Sequence, residues 1–161
     1  MKEAVKITNP LSVLPLLRKW RKQKQENFLT VTLNGAHEVI KVHHVSKGLV
    51  NRTIVHPREC FHPAVKDFAT SVIFVHNHPS GSTTASGEDD DITNRMSMAE
   101  KIMGIHLLDH IIITPMDDFY SYRQVGKLPD EHYTYELDAF VQSLEKDCGT
   151  KNYQGENNEQ S

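Results

Sequence analysis

The sequence predicts an α/β domain, a sheet with helices on both faces, and three observations point there. Apolar runs of strand length recur at residues 28–33, 72–76 and 107–114. Two longer segments between them carry helix signals: His56-Pro57 opens one, and Ser86 with Gly104 brackets the other. Strands mixed with long helices are best buried as a sheet covered by helices.

In chain order, residues 10–22 place Leu11, Val13, Leu14, Leu16, Leu17 and Trp20 at the spacing of an amphipathic helix, with Pro15 near its start. Its basic end, Arg18 to Lys24, carries no aromatic or glycine pattern beside the charges, so it reads as a solvated face before a linker. Residues 28–33 form a strand, Asn34-Gly35 a tight hairpin turn, and residues 38–45 the partner strand. Residues 49–55 offer a third strand. A helix follows from Pro57 to about Ala69, then the central strand 72–76. The next helix, 88–103, has Ile92, Met96, Met98, Ala99 and Ile102 as its expected buried side and stops at Gly104. Residues 107–114 and 119–123 close the domain as a hairpin. Beyond Gly126, residues 130–144 suit a further helix using Tyr135, Leu137, Phe140, Val141 and Leu144. Residues 149–161, polar and poor in apolar side chains, suit a disordered tail.

With 161 residues and 38% hydrophobic content, the chain supports one modest core. A net charge of −3 gives no general electrostatic reason to bind nucleic acid or an anionic membrane, so any DNA contact is expected to be weak or indirect. No apolar run approaches a membrane span and no signal-peptide layout opens the chain, which predicts a cytoplasmic protein. Two cysteines, Cys60 and Cys148, indicate neither a disulfide framework nor a cysteine metal site.

The chemistry concentrates at His76-Asn77-His78-Pro79-Ser80-Gly81 and the following Ser86-Gly87-Glu88-Asp89. In a strand, His76 and His78 point to the same face, because side chains alternate. Pro79 and Gly81 end that strand. Ser86 then starts a helix whose acidic first turn returns a carboxylate towards the histidines. Ser-x-x-Asp is also a capping box in its own right. Two imidazoles and one carboxylate suit zinc, with a fourth position left for water as in catalytic sites.

His-x-His, seven residues, Ser-x-x-Asp resembles the metal-binding signature of JAB/MPN/JAMM metalloprotease-like domains, and His-Asn-His-Pro-Ser-Gly is its form in the RadC family. Val55-His56-Pro57-Arg58-Glu59, the run Gly104 to Ile113, and Tyr120-Ser121 extend the resemblance over roughly residues 27–124. It implies a three-layer α/β domain with a mixed sheet, of cytidine-deaminase-like architecture. On this basis the chain divides into an amino-terminal helix and linker (1–26), a RadC-like JAB/MPN domain (27–126), and a carboxy-terminal helix with tail (127–161).

The same resemblance implies zinc held by His76, His78 and Asp89, Ser86 as oxyanion donor, and an upstream glutamate as proton acceptor for attack on an amide. The strand expected to supply that glutamate, 39–48, has no acidic residue, and alignment on Gly48 puts His43 there; an imidazole can take the role. Glu38 lies about 17 to 20 Å earlier along an extended strand and is out of reach. His110 could orient a ligand together with Asp109, or simply tie strand to helix; Arg58 could bind an anionic group or pair with Glu59. The resulting expectation is a zinc-dependent hydrolase acting on a peptide or protein, with a link to DNA repair implied by the family's name. The alternative is a non-catalytic metal-binding module serving DNA-processing partners. The nucleobase deaminases, which need His-x-Glu and Pro-Cys-x-x-Cys, are excluded. Self-association through the amino-terminal helix is left open.

Overall fold

The computed structural model describes residues 4–48 and 55–128. The third strand expected at 49–55 falls almost wholly outside these residues, as do the helix at 130–144 and the tail. Five strands, β1 (Asn27–Leu33), β2 (Val39–Lys47), β3 (Ser71–Asn77), β4 (His106–Ile113) and β5 (Phe119–Ser121), form one sheet in the order β2-β1-β3-β4-β5. The sheet is mixed. β1 is antiparallel to both its neighbours, β3 and β4 are parallel, and β5 returns antiparallel to β4. The α/β class expected from the sequence is the one observed.

β1 and β3 are buried along their whole length, so both faces must be covered, and period-two alternation sorts their side chains between two cores. On one face Phe28, Val72, Phe74 and Ile112 pack with Cys60, Phe61 and Ala64 of helix α2 (Pro57–Lys66) and Ile92 and Met96 of α3 (Gly87–Met103). On the other, Leu29, Val31, Leu33, Ile73, Val75, Ile111 and Ile113 pack with Ile7, Val13 and Leu17. Both long helices therefore share one face. The opposite layer is the amino-terminal segment, which folds back on the sheet.

That segment is not the continuous helix its spacing suggests. It consists of two 3-10 turns, Pro10–Ser12 and Leu14–Leu17, followed by the four-residue helix α1 (Arg18–Arg21). Pro10 is the first residue of one turn and Pro15 the second residue of the next, because proline lacks the N–H that an α-helix would need further in. The Asn34-Gly35 hairpin differs too. Leu33 pairs with Val39, so the loop is longer than two residues, and the left-handed residue is His37 (φ 58). Asn34 holds this loop: its Oδ1 accepts from the amides of Ala36 at 2.9 Å and Glu38 at 3.0 Å.

His56 caps α2, its Nδ1 accepting from the Arg58 amide at 3.2 Å, and Pro57 takes the first helical position. α3 stops at Gly104, whose left-handed φ of 64° ends the helix. The expected buried side of α3 holds at Ile92 and Met96, while Met98 and Ile102 are exposed. Asp89 and Thr93 take buried places instead. The face is rotated towards its polar residues because that is where the histidines of β3 and β4 lie.

Candidate metal centre

His76 is the penultimate residue of β3, and His78 follows one residue past its end. The His78 amide donates to the Ile113 carbonyl at 2.9 Å, so extended pairing with β4 continues past the strand and keeps the two rings on the α3 face. His76 is completely buried and His78 is 12% exposed at its side chain. Pro79 and Gly81 (φ 82) turn the chain away, and the loop leads to Ser86, the cap of α3.

The cap and the carboxylate form one unit. The Ser86 Oγ accepts from the Asp89 amide at 3.1 Å, and Asp89 Oδ2 accepts from both the amide and the hydroxyl of Ser86, each at 2.7 Å. These bonds hold Asp89 in one orientation, 3% exposed, at the positive end of the helix. Its Oδ1 lies 3.0 Å from His76 Nε2 and its Oδ2 3.5 Å from His78 Nε2; the two Nε2 atoms are 3.0 Å apart. His76, His78 and Asp89 thus offer three ligand atoms within 4.8 Å of one another.

This set fits a metal such as zinc. Ligands at roughly 2.0–2.1 Å in a tetrahedron stand about 3.3 Å apart, close to the separations found. The donor chemistry agrees. His78 Nδ1 lies 2.9 Å from the Ser82 carbonyl, an acceptor, which places a proton on Nδ1 and directs the Nε2 position into the cluster. A carboxylate and two ring nitrogens aimed at one point are balanced by a cation or, without one, by a proton. The titration directions reflect this. The hydrogen bond to Asp89 raises the pKa of His78, and the two histidines hold the Asp89 carboxyl well below its usual range against the opposing effect of burial.

Of the residues expected at the site, the structure brings together His76, His78, Asp89 and Ser86 and does not bring His43. β1 stands between β2 and β3, and His43 is opposite Thr30, which is opposite Phe74. That is two residues down the sheet from His76 and two strands away. The His43 ring turns further off, with Nε2 2.5 Å from Asp67 Oδ2, at the end of α2. Asp67 also accepts from Thr32 Oγ1 at 2.7 Å. A carboxylate that the register places on the cluster's face is that of Glu26. The Glu26 carbonyl accepts from the Gly48 amide at 2.9 Å, so β1 pairing begins there, and the β1–β3 register carries Glu26 opposite His78 and on the face of Phe28 and His76. Its charge raises the pKa of His78. A signal for it was present in the sequence: Glu26 is two residues before Phe28, the spacing that shares a strand face.

His110 does adjoin the site, its Nε2 2.9 Å from His76 Nδ1, whereas Asp109 turns to Ser121 Oγ at 2.5 Å and the Arg123 amide at 3.0 Å. Burial pushes His110 well below its ordinary pKa, so the ring is neutral. Arg58 is exposed and pairs with its neighbour Glu59 at 3.8 Å. Cys60 is a buried core residue whose thiol burial pushes up, away from reactivity.

A family model for the RadC-like JAB domain matches residues 7–127. The chain belongs to the RadC-like JAB domain family. Among curated relatives it is 46% identical over 115 residues to a UPF0758 protein of Methanospirillum hungatei, covering 70% of this chain and 51% of that one. It is 46% identical over 109 residues to a UPF0758 protein of Trichlorobacter lovleyi, covering 67% and 47%. A UPF0758 protein of Pelobacter propionicus is 52% identical over 90 residues, covering 56% and 39%. The chain spans about half the length, or less, of these relatives. As a RadC-like JAB domain it brings His76 and His78 of His-x-His and Asp89 of Ser-x-x-Asp together as one three-donor cluster. Among the described residues no helix is long and apolar enough to cross a membrane.

Proposed function

We propose that this RadC-like JAB domain is a zinc-dependent hydrolase of amide bonds, with His76, His78 and Asp89 as ligands, Glu26 as proton acceptor and Ser86 as oxyanion donor. The observation that carries the reading is the convergence of three donors at the end of β3 and the start of α3. Zinc at such a site supplies a water acidic enough to be deprotonated near neutral pH.

The chain's own groups supply the rest. Glu26, just before β1 and level with His78 by register, takes a proton and can return it to a leaving amine. Ser86 is exposed, so a substrate carbonyl can reach its hydroxyl. That hydroxyl has a single proton, which the cap commits to Asp89 Oδ2. Ser86 therefore turns to an oxyanion only as Asp89 Oδ2 finds another cation to face. His43, held by Asp67, has a structural role in this scheme. The peptide or protein class of substrate follows from acyl-transfer chemistry of this kind.

The test combines metal analysis with a peptide and isopeptide cleavage screen on protein purified without chelator. One zinc per chain and cleavage abolished by Glu26→Gln with zinc retained are the expected results. Wild type, His76→Ala and Asp89→Ala holding equally little zinc under zinc-replete conditions would sink the metal reading. Zinc binding without cleavage of any amide would leave a metal-carrying interaction module.

A further inference from the structure

On the side of His76 away from the three-donor cluster, hydrogen bonds run in series through the core. His76 Nδ1 lies 2.9 Å from His110 Nε2, His110 Nδ1 lies 2.6 Å from Thr93 Oγ1, and Thr93 Oγ1 donates to the Asp89 carbonyl at 2.7 Å. His76, His110 and Thr93 are 0%, 1% and 1% exposed, so water does not complete these bonds.

The direction of the series follows from its last member. A carbonyl oxygen only accepts, and a threonine hydroxyl has one proton. That proton goes to Asp89, which leaves the Thr93 oxygen to accept from His110 Nδ1–H. A neutral imidazole protonated at Nδ1 has its lone pair at Nε2, so His110 Nε2 accepts from His76 Nδ1–H. His76 Nε2 is then bare, and it is the nitrogen that faces Asp89 and His78. We propose that Thr93, acting through His110, fixes the tautomer of His76 and thereby makes it a metal ligand. Thr93 and His110 are positioning residues, and the role assigned to the bare nitrogen rests on the zinc reading above.

The reverse order fails at both ends. Thr93 donating to His110 would set its oxygen against the Asp89 carbonyl with no hydrogen between them. It would also finish with His76 Nε2–H pointing into the cluster, where a ligand needs a lone pair. Tyr122 is a second neighbour of Thr93, but it gives its own proton to Asp90 Oδ1 at 2.8 Å. The Tyr122 ring lies flat on His110, 5.1 Å away at 9°, and Phe28 contacts the same imidazole at 5.6 Å, which restrains it from flipping. Asp89 and Thr93 are one helical turn apart, so the turn of α3 that supplies the carboxylate also sets the proton order of the histidine opposite.

The test compares Thr93→Val, which keeps the shape and removes the hydroxyl, with Thr93→Ser, which keeps the hydroxyl. Zinc chloride is titrated calorimetrically into the chelator-stripped full chain of each, and long-range 1H–15N correlation spectra read the histidine tautomers. Wild type and Thr93→Ser should show His76 and His110 protonated at Nδ1. Thr93→Val should lose the single tautomer and bind zinc about 10–100-fold more weakly. Wild-type tautomers and affinity in Thr93→Val overturn the proposal, as does Nε2–H on His76 in the wild type. Should Thr93→Val not fold, the wild-type spectrum decides. A wild type with both Nδ1 protons and no affinity for zinc keeps the relay and removes the metal reading.

Discussion

Phe28 on β1 pairs directly with His76 on β3, and this register carries Glu26 to the level of His78. If Glu26 is the proton acceptor, Glu26→Gln keeps the shape and zinc content and loses amide hydrolysis by about 10²–10⁴-fold. His43→Ala should retain both zinc and activity, at some loss of stability from the broken contact with Asp67. Parallel metal analysis and turnover on the two variants check this. Activity lost in His43→Ala and kept in Glu26→Gln would reverse the assignment.

Asn77, between the two histidines, points to the opposite face and is 1% exposed. Its Oδ1 accepts from the Asn27 amide at 2.8 Å, and its Nδ2 donates to the carbonyls of Gln25 at 3.1 Å and Gln23 at 3.3 Å. These bonds bracket Glu26 on both sides. Asn77→Ala should therefore lower stability by about 1–3 kcal/mol, since it strands the buried Asn27 amide. It should also weaken turnover more than zinc affinity, because it frees the segment carrying the base and leaves the ligands in place. Urea unfolding with calorimetry separates the two effects.

The residues that carried the site were legible because each obeys a local rule. Alternation puts His76 and His78 on one face, and the Ser86 cap fixes Asp89 within its own turn. The carboxylate proposed as proton acceptor needed the sheet order as well as local spacing: alignment on Gly48 pointed to the strand at 39–48, whereas the sheet places β1 beside β3. Met98 and Ile102 missed the core for a related reason: Asp89 and Thr93 must face His76 and His110, and that tertiary demand rotates α3 away from its most apolar stripe. The proline-broken amino-terminal segment shows the reverse, a local rule at Pro10 and Pro15 overriding hydrophobic spacing.

Zinc uptake should depend on pH in a direction set by His78. Its folded pKa is raised above 6.5 by the hydrogen bond to Asp89, so in the zinc-free protein it contributes stability in full below about pH 6.5 and loses it as pH rises through the raised value. The Asp89 carboxyl is depressed from 3.8, so its contribution is present above that value and disappears as pH falls through the lowered one. Zinc must displace the His78 proton. Apparent affinity should then climb from pH 5.5 and level off only above 6.5, with proton release measurable by calorimetry in buffers of different ionisation enthalpy. Affinity independent of pH across this interval would exclude His78 as a ligand.

Ser86 is observed as a cap and proposed as an oxyanion donor, and the two roles are tested apart. As a cap it binds the Asp89 amide and carboxylate, and its replacement by alanine should cost about 1 kcal/mol of stability. That loss also frees Asp89 to rotate, so zinc affinity falls modestly. As an oxyanion donor it acts only on the reaction, and Ser86→Ala measured at saturating zinc should still lose about 10²–10³-fold in kcat. Ser86→Thr preserves both the cap and a hydroxyl, and should recover most of the stability and part of the rate. If saturating zinc restores full turnover to Ser86→Ala, the hydroxyl serves the helix and the ligand alone, and the oxyanion must be met by another group.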